Sequence, residues 1–522
     1  TLALVAEDVG GERRTELADE ETSRATVASE GSSSGESERS SFEVVPLAPI
    51  QRWFFSLGVP HPSRWNLSLS LELEEGARID PEALGRVARA IARRHDVFRL
   101  RFARGRGGEW EARLAQPTDV EVAERSIETM RIRLGSAAEK EPVPSEIAAI
   151  ADALEGSLDI ENGPLVRIVA VEGEGSSETR LWIFAHHLVA DAVSLRIILD
   201  ELSRGLRAEA RGESIEAALG GAPSVAFAEW TRRLASWAAS LECERECAAW
   251  LEVDPGIGAE IPCDGVPARG FERDARRVRR ELDARATSLL LAEANDAYRT
   301  RPDDLLRAAL LRAVLAWSGR DAIWLDVEGH GREPIDERLD VSGTVGWFTS
   351  LAPVLLWRGA SGRVWDDIKS VKEAVRRLPR AGLPFAAARW LSDAPISERL
   401  GKLPSPEIYL NYLGRLEDSR ESIVSRIAPG PSRRSRDPDA PRTHLLEVNA
   451  WVEAGRLRIE WTHGPAHREE SVARLADALV AEVESILAHC SSGAGGYTPS
   501  DFPDAGLDQA ELDDLLRRLD GS

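Results

Sequence analysis

The sequence predicts an α/β protein built as two lobes. Patterns of buried strands and amphipathic helices alternate up to about residue 215, and a similar mixture returns after a helical stretch. The length of 522 residues exceeds that of one ordinary domain, and a hydrophobic fraction of 43% can fill sizeable cores. No internal sequence repeat relates the two lobes, although their α and β content is alike.

Composition and periodicity divide the chain into four segments. Residues 1–41 are rich in Ser, Glu, Gly and Thr and almost free of aromatic side chains, which is typical of a flexible acidic linker. Residues 42–215 form the predicted N-terminal lobe and residues 216–495 the predicted C-terminal lobe. Residues 496–522 are predicted to be a C-terminal tail or linker.

Individual elements are predicted from the spacing of apolar residues. Spacings of three to four residues predict helices, and alternation or short apolar runs predict strands. The predicted helices are 81–94, 146–158, 193–202, 284–297, 302–317, 364–377, 386–392 and 471–490, and residues 217–250 are predicted to be wholly helical. The predicted strands are 67–73, 98–102, 165–171, 181–185, 278–282, 322–327, 407–413 and a pair at 444–453 and 456–461.

Charge and composition exclude several function classes. A net charge of -22 repels nucleic acid and anionic membranes, so we expect neither as a partner. No apolar run approaches membrane-spanning length, and no basic-then-apolar signal pattern opens the chain. Four cysteines without matching ligand histidines predict neither a disulfide framework nor a metal site, and a reduced, cytoplasmic location is the simplest account. With Thr first and Met130 its one methionine, we expect the chain to be part of a longer protein.

The stretch 182–202, WIFAHHLVADAVSLRIILDEL, predicts a strand, a turn and a helix. The turn carries His186, His187 and Asp191. Neighbouring side chains of an extended backbone point to opposite faces, so one histidine should face a cavity while the other packs inward. An imidazole titrates near neutral pH and suits proton transfer. Asp191 either orients a histidine or caps the helix, and the competing interpretation is that both histidines are structural.

Five sequence blocks carry a family resemblance when taken together. The chain resembles the condensation-domain superfamily of nonribosomal peptide synthetases, and specifically its epimerization domains, from about residue 42 to residue 503. The shared motif of two histidines, three spacers and aspartate is matched by His186, His187 and Asp191. The further blocks are PIQRWFF (49–55), EGHGRE (328–333), TVGWFTS (344–350) and YLNYLG (409–414), followed by the tail sequence YTPSDFP.

This resemblance implies a fold, a reaction and partners. The fold would be two lobes like chloramphenicol acetyltransferase, set as a V-shaped pseudo-dimer with a central tunnel. A phosphopantetheine arm from an upstream carrier domain would bring an aminoacyl or peptidyl thioester, and the chain itself would bind no cofactor directly. A condensation domain is expected downstream. The implied reaction is L-to-D inversion at the α-carbon, with His187 and Glu328 each supplying one acid/base group.

The resemblance also assigns supporting residues. Asn411 and Tyr412 would hold the thioester carbonyl or enolate oxygen, although hydrogen bonding of a strand end to backbone explains them equally well. Asp191 and Arg332 are expected to form a structural ion pair, and His186 to pack inward. Surface exposure is the competing interpretation of Glu328, but this residue directly follows an apolar strand pattern.

Two departures from the family pattern bear on activity. Ala192 stands where Gly is usual, and a positive φ there would strain the turn. The Gly-x-Gly-Tyr-Gly block of relatives is Gly382-Leu-Pro-Phe-Ala386 here. Two other functions therefore stay open. One is a condensation domain that forms a peptide bond, and the other is a catalytically degenerate docking module.

Overall fold

The computed structural model describes residues 6–8, 42–74, 79–134, 145–173, 179–258, 260–393, 395–415, 424–429 and 435–520. The strands are β1 Ala6–Asp8, β2 Phe42–Val45, β3 Asn66–Leu73, β4 Leu100–Arg104, β5 Trp110–Ala115, β6 Ile127–Leu134, β7 Val166–Gly173, β8 Thr179–His186, β9 Arg276–Glu281, β10 Ala322–Gly329, β11 Ser350–Trp357, β12 Ile408–Arg415, β13 Val424–Pro429, β14 Leu446–Glu453 and β15 Arg456–His463. The helices are α1 Pro49–Ser56, α2 Pro81–Arg94, α3 Val120–Glu124, α4 Ser145–Glu155, α5 Ala192–Ala210, α6 Ile215–Leu219, α7 Phe227–Ala238, α8 Leu241–Glu246, α9 Ala248–Leu251, α10 Ala284–Leu291, α11 Pro302–Ser318, α12 Val364–Arg376, α13 Leu383–Leu391, α14 Pro395–Leu400, α15 Glu469–Cys490 and α16 Gln509–Asp520.

Two six-stranded sheets organise the molecule. The first has the strand order β1-β6-β7-β8-β3-β13 and the second β11-β10-β12-β14-β15-β9, while β2, β5 and β4 form a small separate sheet. In the second sheet β10, β12 and β14 run parallel, so their carboxyl ends lie at one edge. Helices α11 and α15 pack together against the second sheet. The predicted α/β organisation in two lobes is therefore present.

Several predicted elements match the structure closely. The helix predicted at 81–94 is α2, which Asp80 caps by accepting from the backbone amides of Glu82 and Ala83. The predicted strands 444–453 and 456–461 are the antiparallel pair β14 and β15. The wholly helical stretch predicted over residues 217–250 is wrong. Gly220, with φ of 79°, ends α6 before Pro223, and Ser240 caps the start of α8 by accepting from Cys243.

The two sheets exchange chain segments. Strand β13 follows β12 in sequence, yet it pairs with β3 in the first sheet, with Ile427 opposite Leu71. The boundary predicted between residues 215 and 216 puts β13 in the C-terminal lobe, whereas its strand pairing puts it in the sheet of the N-terminal lobe. Most of the linker predicted over residues 1–41 lies outside the described residues, but Ala6–Asp8 are paired with β6.

The predicted C-terminal tail is docked on the second lobe. Lys372 of α12 is buried, and its ammonium group binds the Asp501 carboxylate at 2.6 Å and the Tyr298 carbonyl at 2.8 Å. Thr498 is also buried, and Leu512 anchors α16. No helix among the described residues combines the length and apolarity needed to span a bilayer.

Candidate active site

The turn after β8 buries one of its two histidines completely. The Nε2 of His186 lies 2.8 Å from the Pro62 carbonyl, and its Nδ1 accepts from the Leu188 amide at 3.1 Å. Both ring nitrogens therefore have partners, which fixes a neutral tautomer with the proton on Nε2. Burial lowers the pKa of His186 to about 3, so this side chain stays neutral and structural.

The second histidine faces a cavity between the lobes. His187 is only partly buried, and its ring packs on Trp347 with the ring centroids 4.2 Å apart. Burial lowers the pKa of His187 to about 4, against the opposing pull of Asp191. The imidazole is therefore neutral at neutral pH. The opposite orientations of the two neighbours follow from the extended backbone at the end of β8.

A buried glutamine of α1 holds this turn in place. The Gln51 amide donates to the Leu188 carbonyl at 2.8 Å, and its oxygen accepts from the Ala48 amide at 2.8 Å. The His187 amide also donates to the Trp65 carbonyl at 2.9 Å. The sequence analysis missed the role of Gln51, although the residue lies inside the PIQRWFF block.

Asp191 joins the turn to the second half of the chain. Its carboxylate caps α5 by accepting from the Ser194 amide at 2.7 Å and also accepts from the Phe348 amide at 3.1 Å. The guanidinium of Arg332 donates to it at 3.1 Å and lies over the Phe348 ring, 3.9 Å from the centroid. The helix cap, one of the two alternatives for Asp191, and the expected ion pair with Arg332 are therefore both present.

Arg332 is further tied to two backbone carbonyls. Its second nitrogen donates to Val341 at 2.8 Å and to Thr344 at 2.7 Å. The Ser194 hydroxyl lies 3.1 Å from the guanidinium and donates to the Gly346 carbonyl at 2.7 Å. The Asp191–Arg332 contact is thus embedded in a network that fixes the segment 341–348 against the histidine turn.

The opposite wall of the cavity is one face of the second sheet. Alternate residues of β10, β12 and β14 point to opposite faces. The cavity-lining set on this face is Glu328, Tyr409, Asn411, Glu447 and Asn449. The alternating set that packs into the second core is Leu325, Val327, Ile408, Leu410, Leu446 and Val448. A polar sheet face therefore forms the floor, opposite the histidine turn.

Glu328 lies near the end of β10, where the strand meets the cavity. Burial raises the pKa of Glu328, and the Tyr409 hydroxyl, Arg436 and His444 oppose that rise by stabilising the carboxylate. Asp191, across the cavity, adds to the rise by repulsion. Glu328 and His187 thus have pKa values displaced in opposite directions from their usual values.

The predicted supporting residues Asn411 and Tyr412 both line the cavity. Asn411 lies two residues from Tyr409 on the cavity side of β12, and Tyr412 is partly buried, lining the cavity while also packing against the second core. Burial raises the pKa of both tyrosines. Period-two alternation within YLNYLG places Tyr409 on the same face as Asn411, and the sequence analysis did not name Tyr409 as a cavity residue.

A charged cluster separates this cavity from a second one. The site cavity has a volume of about 450 Å³ and its neighbour about 510 Å³, and Arg436 and Glu447 line both. Arg436 binds Glu272 at 2.9 Å and Glu447 at 3.2 Å and lies over the Trp65 ring, 4.6 Å from the centroid. These residues, which the sequence analysis also missed, lie in the wall that the two cavities share.

The two departures from the family pattern are accommodated locally. Ala192 begins α5 and is absent from the described residues with positive φ, so it imposes no strain there. Gly382 has φ of 88°, but Arg380 and Ala381 before it also have positive φ. The Arg380 guanidinium anchors this segment on Glu246 at 3.0 Å. Phe385 packs on Trp250 and does not line the cavity.

Comparison with known proteins identifies the family. The model of the family described as condensation domain matches residues 42–502. The chain belongs to the condensation-domain family. A linear gramicidin synthase of Brevibacillus parabrevis is 37% identical over 482 residues, which is 90% of this chain and 9% of that protein. Chondramide synthase of Chondromyces crocatus is 33% identical over 484 residues, covering 91% of this chain and 12% of that protein.

Solved structures of condensation-family domains share the fold. The epimerization domain from the third module of tyrocidine synthetase B superposes with a TM-score of 0.77 at 28% identity, covering 87% of this chain and 99% of that one. The condensation domain of a monacolin K polyketide synthase gives a TM-score of 0.65 at 15% identity, covering 87% and 98%, and supports the fold alone. The predicted resemblance and the acetyltransferase-like two-lobe fold class are confirmed. The chain spans about a tenth of the length of the synthetases that it matches.

Proposed function

We propose that this condensation-family domain epimerizes an aminoacyl or peptidyl thioester at its α-carbon, from L to D. One observation carries the proposal. His187 from the histidine turn and Glu328 from the second sheet line the same cavity from opposite sides. Inversion needs a base on one face of the α-carbon and an acid on the other, and this arrangement offers both.

The directions of the pKa shifts of His187 and Glu328 agree with one group acting as the base and the other as the acid. The lowered pKa of His187 makes its imidazole a neutral base, and the raised pKa of Glu328 favours the protonated acid. In the L-to-D direction one of them removes the α-proton and the other returns a proton to the opposite face. The Nδ1 of His187 is shielded from solvent by its surroundings, which leaves Nε2 as the atom that transfers the proton.

The enolate that forms between the two steps carries its charge on the thioester oxygen. An amide donor aimed at that oxygen lowers the barrier to its formation. Asn411 lies on the cavity face of β12 beside Tyr409 and supplies such a donor. We therefore propose Asn411 as the main supporting residue, with Tyr412, which lines the same cavity and packs in part against the second core, beside it.

The substrate would arrive on the phosphopantetheine of a carrier domain, with no cofactor bound directly by this chain. An upstream carrier and a downstream condensation domain are the proposed partners. The similarity to peptide synthetases and to an epimerization domain supports this arrangement.

The main rival is peptide-bond formation between two carrier-bound substrates, because the matched family is named for condensation. Two features favour epimerization. Glu328, a carboxyl group of raised pKa, lines the same cavity as His187, and Arg436, paired with Glu272 and Glu447, lies in the wall shared with the second cavity. A non-catalytic docking module is disfavoured because His187 and Glu328 are both present and both face the cavity.

The test is α-proton exchange in deuterated buffer with an L-aminoacyl thioester loaded on the adjoining carrier domain. We expect deuterium uptake and a D/L mixture, with both reduced about 10²- to 10⁴-fold in His187→Ala and in Glu328→Gln. Glu398→Gln is the matched control, since Glu398 is exposed and pairs only with Lys402 among the described residues. Peptide formation with a second loaded carrier, in the absence of exchange, would replace this proposal with condensation.

A further inference from the structure

Tyr409 lies buried beside Glu328, outside the hydrophobic core, so core packing does not explain its place there. We propose that Tyr409 is a positioning residue that orients the Glu328 carboxyl group, and that His444, held by Asp326, keeps the Tyr409 ring in place. This inference rests on the proposed function for its catalytic consequence, although the contact itself can be tested without turnover.

The placement follows from the register of the second sheet. Asp326 and Glu328 are two residues apart on β10 and therefore point to the same face, and Tyr409 of β12 is the parallel partner of Asp326. The three side chains are thus neighbours on the polar face. Tyr409 is buried, yet it lies outside the second hydrophobic core, against which Tyr412 packs in part.

The aromatic ring of Tyr409 is held by stacking on His444. It stacks on His444 with the ring centroids 5.2 Å apart and the planes 26° apart. His444 is fixed in turn, because its Nε2 lies 2.7 Å from the Asp326 carboxylate and its Nδ1 lies 2.9 Å from the Thr443 hydroxyl. Both nitrogens have partners, so the imidazole cannot rotate freely and presents a fixed plane to the phenol.

Tyr409 and Glu328 line the same cavity, and a hydrogen bond from the phenol to the carboxylate lowers the pKa of Glu328 against the effect of burial. A buried phenol requires such a partner, since an unpaired hydroxyl in this setting is destabilising. When Glu328 is protonated, donation to one carboxyl oxygen leaves the proton on the other oxygen. The acid is therefore presented to the cavity in one orientation, which is what proton delivery to one face of the substrate requires.

The charged groups around Glu328 set the direction of the expected pH effect. Tyr409, Arg436 and His444 stabilise its carboxylate, whereas burial and Asp191 favour the protonated form. Removing the phenol hydroxyl therefore raises the pKa of Glu328 further. The proposed active state has neutral His187 and protonated Glu328, so activity is lost as pH rises through the pKa of Glu328. A higher pKa of Glu328 therefore moves the alkaline limb of the pH–activity profile to higher pH.

The test is Tyr409→Phe, which keeps the ring on His444 and removes only the hydroxyl. An infrared titration of the carboxyl stretch, assigned by its loss in Glu328→Gln, is run on the protein without substrate. We expect the Glu328 midpoint to move to higher pH in Tyr409→Phe. In the exchange assay we expect kcat to fall about tenfold with KM nearly unchanged, as for one hydrogen bond to a reacting group.

Tyr497→Phe is the matched control, because Tyr497 lies on the docked tail against Phe502, outside the cavity. It should change neither the infrared midpoint nor the rate. An unchanged Glu328 midpoint in Tyr409→Phe would overturn the inference. A shifted midpoint in a protein that never exchanges the α-proton would uphold the contact and reject the proposed function, so the two failures are distinguishable.

Discussion

The two walls of the cavity hold their reactive groups in different ways. On the histidine wall, His186, Asp191 and Arg332 each have several partners, and those partners come from both halves of the chain. On the sheet wall, Glu328 lies near the end of β10, and the Tyr409 hydroxyl, Arg436 and His444 stabilise its carboxylate. The first wall is fixed by many short contacts and the second by the sheet itself.

This difference teaches where stability and chemistry reside. The histidine wall supports His187 with buried polar groups that are expensive to leave unpaired, so changes to His186, Asp191 or Arg332 should unfold the protein before they alter proton transfer. The sheet wall has its backbone secured by the parallel strands, so a side chain there can change with a smaller structural cost. Variants on the two walls should therefore separate stability from activity.

The largest effect on stability is expected for Asp191→Asn. The amide keeps the helix cap but removes the charge that faces Arg332, whose side chain is only 6% exposed. We expect the free energy of unfolding, measured by urea denaturation at pH 7, to fall by about 3 kcal/mol, as when one partner of a buried ion pair is lost.

Asp283→Asn provides the control for this change. Asp283 caps α10 in the same way, by accepting from the Ala286 amide, but it is exposed and has no buried cation beside it among the described residues. Its replacement should cost less than about 1 kcal/mol. Equal losses in the two variants would show that the Arg332 contact adds nothing beyond capping.

The fold was predictable wherever periodicity decides the structure. Helix α2 has a cap at Asp80 and a continuous apolar stripe, and its bounds follow from those signals. Strand β13 was not predicted, because its place in the first sheet depends on pairing with β3, far away in sequence. Pairing between distant segments leaves no mark in local spacing. The prediction of continuous helix over 217–250 was wrong for the opposite reason, because the signals that break the helix, such as Gly220 and Ser240, are local.

The candidate site was predictable only in part. His187 and Glu328 come from motif resemblance, and the structure places both on one cavity. Tyr409 could have been found from alternation within YLNYLG, as the neighbour of Asn411 on one face. Arg436 lies in a loop without periodicity, and its contacts to Glu272 and Glu447 exist only in the folded chain. No sequence signal could have identified it.

A smaller, pH-dependent effect is expected for Arg436→Met on the sheet wall. Burial alone would raise the pKa of Glu447, but Arg436 and Arg442 hold it below its usual value. Because the pKa of Glu447 is lower in the folded state, its ionisation stabilises the fold at pH values above the unfolded pKa of about 4.3. This stabilisation is lost as pH falls through the folded pKa. Removing Arg436 should therefore cost about 1–2 kcal/mol at pH 7 and progressively less below about pH 4.3.

Urea denaturation across this pH range measures the difference between wild type and variant. Arg279→Met is the control, since Arg279 is exposed and pairs with Glu460 at the surface. Its stability difference should be small and nearly flat with pH. A difference for Arg436→Met that grows toward acid would contradict the assigned coupling to Glu447.

The smallest effect is expected for Ala192→Gly, which restores the residue usual in the family. If the position required positive φ, glycine would relieve strain and raise both stability and activity. In the structure Ala192 is the first residue of α5, directly after the Asp191 cap, and φ is not positive. Glycine should therefore lower the free energy of unfolding by up to about 1 kcal/mol through backbone entropy.

We expect the rate of α-proton exchange in Ala192→Gly to stay within about twofold of wild type, because the Asp191 cap and the Arg332 contact remain. A stabilised variant with faster exchange would show that Ala192 does strain the histidine turn.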